Sequence, residues 1–208
     1  DPLREHLRGL FQNAPGTGDS FLADPVFEAS FGWRLAAPTL ADLSGTLLHP
    51  GVVKALSKPP REFAEEYTFA PEQQPYQHQL DAWQELLQAD PPRSVLVTSG
   101  TGSGKTECFL IPILHDLATE LDTQPGGLTG IRALFLYPLN ALIKSQRDRL
   151  TAWAEPFGGR LRYCLYNGET PNEGKSQWAS EVVDRKTLRA NPPLILVTNA
   201  TMLEYMLV

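Results

Sequence analysis

Cysteine is scarce in this chain of 208 residues, with only Cys108 and Cys164 present. They stand far apart with no paired spacing, which argues against a disulfide framework or a structural metal site. Each falls inside an apolar run, so both read as small core hydrophobes. Long hydrophobic runs are missing as well. No stretch approaches the roughly 20 apolar residues that a membrane-spanning helix needs, and no charged-then-apolar leader opens the chain. A reducing cytoplasm and no membrane partner are therefore expected. Nor is there an excess of basic charge. With 18 Lys+Arg against 24 Asp+Glu the net charge is −6 at pH 7, which argues against a uniformly basic nucleic-acid binder. Internal repeats and low-complexity tracts are absent.

What remains is an ordinary globular composition, 42% hydrophobic and 20% charged. That suffices for one large domain, or one domain with an appendage. The charge is unevenly placed. Residues 1–130 carry 8 Lys+Arg against 17 Asp+Glu, whereas residues 131–208 carry 10 against 7. Contact with a polyanion is expected in the later part. Asp1 in place of Met, and the apolar ending EYMLV, read as cuts within a longer chain.

Residues 1–71 read as a small, mainly helical accessory region. Leu3, Leu7, Leu10 and Phe11 recur at helical spacing, and short apolar patches in residues 21–33 and 40–60 are broken by prolines. His6 and His49 stand alone and read as structural or exposed. From residue 72 to 208 the pattern becomes regular. Residues 77–90 form an amphipathic helix, with Leu80, Trp83, Leu86 and Leu87 on one face. A strand at 94–98 and a helix from Gly104 to about Leu121 come next. They are followed by a strand at 131–137, a helix at 140–155, a strand at 162–167, a polar insertion at 168–193, a strand at 194–198 and a closing helix from about Ala200. Apolar, β-branched strands alternating with helices predict an α/β domain with a mostly parallel sheet flanked by helices.

Between the strand at 94–98 and its helix lies SGTGSGKTE, residues 99–107. Glycines at 100, 102 and 104 let successive backbone N–H groups turn into one concavity at the start of a helix, an arrangement that attracts phosphate. Lys105 is placed to reach the β- and γ-phosphates, and the Thr106 hydroxyl is placed to hold Mg²⁺. The nucleotide is expected along Ser99, Gly100, Thr101, Gly102, Ser103, Gly104, Lys105, Thr106 and Glu107, with ATP and Mg²⁺ as ligands.

The general phosphate-loop pattern has glycine where Ser99 stands. SGTGSGKT resembles motif I of the superfamily 2 DEAD/DEAH-box helicases, in which a small residue occupies that position. YQHQLDAW resembles their Q motif. That resemblance assigns Gln79 to the adenine edge and Tyr76, or the earlier Phe69 or Tyr67, to stacking on the base. YPLNALIKSQRDRL resembles motif Ia through Pro138, Ala141 and Leu142, although Leu139 and Asn140 replace the polar pair often found there. YNGET follows the next strand, and ILVTNATML resembles motif Ib. These segments imply contacts to a nucleic-acid backbone from Pro138, Asn140, Ala141, Lys144, Asn167, Gly168, Thr198 and Asn199, with Gln146 near them.

The resemblance is strongest to the first RecA-like domain of large bacterial helicases of the Lhr/MrfA-like and Druantia types, and it covers residues 72–208. It implies ATP bound between this domain and a second RecA-like domain of the same chain. It also implies nucleic acid, with DNA preferred, as substrate, and repair or anti-phage defence proteins as partners. The acidic motif II is expected beyond Val208, so residues 1–208 alone are expected to bind nucleotide weakly and to lack turnover. A duplex-DNA translocase and a nucleotide-dependent switch or scaffold of a defence complex are alternatives with the same motifs.

Overall fold

The structure is a computed structural model that describes residues 2–13, 20, 32–91, 93–124 and 126–207. The chain divides into two compact units, residues 1–32 and residues 33–208. In the first, Pro2–Gln12 is helix α1, as its spacing predicts. Of the apolar patch expected at 21–33, residues 21–31 lie outside the described residues.

In the second unit the chain builds short helices α2 (Leu40–Leu43), α3 (Pro50–Ser57) and α4 (Ala64–Tyr67). Helix α5 (Gln77–Gln88) and the long α6 (Lys105–Thr123) follow. Strand β1 (Ala133–Leu136) then leads into α7 (Asn140–Ser145) and α8 (Arg147–Ala154). Strands β2 (Tyr163–Leu165) and β3 (Glu181–Val182), helix α9 (Arg185–Ala190), strand β4 (Ile195–Thr198) and helix α10 (Ala200–Leu207) complete it.

The strands form one parallel sheet in the order β1-β4-β2-β3. Strand β4 is buried along its whole length, as a central parallel strand must be. Its alternating side chains serve two layers. Ile195 and Val197 join the large core shared with α3, α5, α6 and α8, whereas Leu196 packs with Cys164, Val182, Leu188 and Met202 near α9 and α10. Because all four strands run the same way, their carboxyl ends open on one edge, where ligands bind in such sheets.

Three expectations need correction. Residues 94–98 are not a strand; they run unpaired toward the loop, with Leu96 88% exposed. The β-branched run has the propensity, but a strand exists only through hydrogen bonds to a neighbour, and no described strand lies beside it. The helix expected at 140–155 breaks at Gln146, which separates α7 from α8. Finally, the polar stretch 168–193 contributes β3 and α9 to the fold.

Candidate nucleotide and nucleic-acid sites

The loop before α6 owes its curl to two glycines in the left-handed region, Gly102 at φ 77° and Gly104 at φ 72°. Gly104 caps α6 with no side-chain acceptor, leaving the first helical N–H groups for another partner. The Lys105 ammonium donates to the carbonyls of Ser99 at 2.8 Å and Gly100 at 2.6 Å. Ser99 and Ser103 link their hydroxyls at 2.5 Å. Thr101 is exposed and Thr106 half-buried at the first turn of α6. The loop therefore holds a cation against its own carbonyls beside uncapped amides, which fits a phosphate ligand. Among the described residues no group of three or more His, Cys, Asp or Glu side chains could hold a metal ion.

Helix α5 grips this loop with three side chains. Gln79, 6% exposed, accepts from the Tyr76 N–H at 2.9 Å and donates to the Gly104 carbonyl at 3.1 Å. His78 donates from Nε2 to the Ser103 carbonyl at 2.8 Å, and Trp83 donates to the Glu107 carbonyl at 2.9 Å. Residues 79 and 83 share a face one turn apart, so both reach α6. His78 and Trp83 escape sequence reasoning as loop supports, because their partners lie 25 and 24 residues away. Tyr76 stacks on His78 with centroids 5.7 Å apart.

Beside the loop lies a cleft of about 440 Å³ bounded by Tyr76, Gln79, Gly104, Glu107, Phe69 and Arg149. Phe69 also packs on Trp153, and Tyr67 meets the same indole edge-on. The Glu107 carboxylate is buried 3.2 Å from Arg149 Nε, and Arg149 also donates to Gln146 at 3.1 Å and lies over the Tyr67 ring. This chain of contacts ties the loop helix to the α7–α8 junction. Burial pushes the Cys108 thiol up to about 11 and the Cys164 thiol up to about 12. Both stay protonated, as core residues should.

The residues matched to nucleic-acid contacts gather at the carboxyl edge of the sheet. Pro138, Asn140, Ala141 and Lys144 are exposed where α7 begins. Lys144 pairs with Glu169 at 2.7 Å, next to the exposed Gly168. Asn199 caps α10 by accepting from the Met202 N–H, and donates to Asn140 at 2.9 Å. Two others face inward. Thr198 is 0% exposed and donates to the Tyr166 carbonyl, and the buried Asn167 accepts from the Glu169 N–H. Their side chains shape the turns that carry the exposed ones.

The DEAD/DEAH box helicase family matches residues 76–207. The Druantia protein DruE of Escherichia coli is 41% identical over 118 residues, which is 50% of this chain and 6% of that protein. The uncharacterized ATP-dependent helicase YprA of Bacillus subtilis is 29% identical over 62% of this chain and 14% of its own length. The chain thus spans a small part of these relatives. In crystal structures, the DUF1998 helicase MrfA bound to DNA superposes with a TM-score of 0.52 at 25% identity, over 77% of this chain and 18% of that one. No helix among the described residues is long and apolar enough to cross a membrane.

Proposed function

Because the chain belongs to the DEAD/DEAH box helicase family, we propose that it is the ATP-binding part of a nucleic-acid-dependent helicase that works on DNA in the cytoplasm, in repair or anti-phage defence. The observation that carries this reading is the Lys105 ammonium seated among loop carbonyls at the uncapped start of α6. An incoming triphosphate takes over that cation. The loop amides and the helix terminus add their partial positive charge, and Thr106 completes the Mg²⁺ shell. Gln79 and Tyr76 border the cleft that would receive the base. A second RecA-like domain would close over the nucleotide, and the α7 and α10 termini would hold the backbone of a strand. DNA is favoured by the DNA-bound helicase that shares this fold, and defence by the Druantia relative.

Calorimetric titration with Mg·ATP tests the reading. Lys105→Ala should lower affinity by at least about ten-fold, the loss of one charge-assisted contact. Its nucleotide-free binding to single-stranded DNA should hardly change. Equal Mg·ATP affinity in the variant would refute the role given to Lys105.

A further inference from the structure

Trp33 lies outside residues 76–207, yet its indole reaches the nucleotide loop. A Cβ built on Gly100 would stand 3.3 Å from Trp33 Cη2 and 3.5 Å from Cζ2. Gly100 itself is not in the left-handed region, so backbone geometry does not demand glycine there. The nearby indole is what limits the space.

Trp33 is also held in place. Leu35 pairs antiparallel with Tyr76, the Ala36 N–H donates to the Pro75 carbonyl at 2.8 Å, and the Gln77 N–H donates to the Arg34 carbonyl at 2.7 Å. Residues 33–36 are thereby strapped to the turn that starts α5. The Trp33 ring meets His78 edge-on with centroids 5.8 Å apart, and His78 is both stacked on Tyr76 and bonded to the Ser103 carbonyl. The indole and imidazole thus touch the loop near both its ends, at Gly100 and at Ser103. Trp33 remains 37% exposed, so it is not simply core.

We propose that Trp33 is a positioning residue of the nucleotide site. It backs Gly100 so that the loop keeps its curl and meets a nucleoside triphosphate already shaped. Without that backing, part of the binding free energy goes into ordering the loop. This proposal rests on the nucleotide-binding reading above.

The test is Mg·ATP titration of the 208-residue chain and its Trp33→Ala, Trp33→Phe and Gly100→Ala variants, with tryptophan emission followed in parallel. Trp33→Ala should weaken binding about ten-fold and Trp33→Phe by less than about three-fold, the scale of one aromatic contact. Mg·ATP should change the emission of the wild type more than that of Trp33→Phe. Gly100→Ala should weaken binding in the wild type and do so much less in the Trp33→Ala background, because the tight 3.3 Å contact it creates is with that indole. The cycle takes the Gly100→Ala effect separately in each background and compares the two, so a general loss of stability does not imitate it. Unchanged or tighter binding by Trp33→Ala, or additive effects in the cycle, would overturn the proposal. A wild-type chain that takes up no Mg·ATP would instead overturn the nucleotide-binding reading itself.

Discussion

Gly104 carries two constraints at once. Its φ of 72° is unfavourable for any L side chain, and a Cβ there would run into the Gln79 amide and stand 3.1 Å from Glu107 Oε2. Gly102, at φ 77°, has nothing within 4 Å of its Cβ position. Gly102→Ala should therefore cost only the backbone strain, about 1 kcal/mol, whereas Gly104→Ala adds displacement of the Gln79 latch and should cost roughly twice that or more. Urea unfolding of both variants checks this, and equal midpoints would show that the latch contributes nothing. The glycine spacing was legible in the sequence because it encodes backbone freedom. The difference between the two glycines was not, since it depends on a glutamine 25 residues upstream.

At the scale of elements, α3 and α6 meet through a histidine joint. His49 accepts from the Gly51 N–H at the start of α3, its own N–H donates to His115 Nδ1, and its Nε2 donates to Asp122. Burial holds His115 below its usual 6.5, with Asp116 raising it and His49 lowering it to smaller degrees. The unfolded chain then binds this proton more readily than the folded one, so stability is full above pH 6.5 and falls as the pH drops below it. Asp116, raised by burial, acts in the opposite sense and regains stability as acid protonates it. The melting temperature should decline between pH 7 and about pH 5.5, and His115→Asn should flatten that decline. The same slope in the variant would rule out His115 as its source. A lone-histidine reading of His49 could not foresee this joint, because His115 lies 66 residues away. The helices α5 and α6 were legible from their apolar periodicity, whereas the break at Gln146 was not. That residue keeps right-handed helical dihedrals, φ −86°, ψ −13°, but its N–H turns to the Ile143 carbonyl while its side-chain amide engages Ser145 and Arg149.

For the molecule as a whole, the uneven charge should decide how it meets a polyanion. If the sheet edge touches a DNA backbone, affinity for a single strand should fall with salt by about 0.7 log units per decade for each phosphate contacted. Fluorescence anisotropy across a salt series measures the slope, and a flat response would remove the phosphate contacts from the account. The sequence by itself determined the glycine-curled loop at residues 99–107, the helices on either side of it and the alternation that demands a parallel sheet, because these follow from backbone freedom and side-chain period over a few residues. Tertiary structure alone decided that Trp33 backs Gly100, that Gln79 spends its amide on Gly104, that Thr198 turns inward and that residues 94–98 pair with nothing described. Each of these depends on which distant segment supplies the opposing surface or hydrogen bond, and local propensity carries no information about that choice.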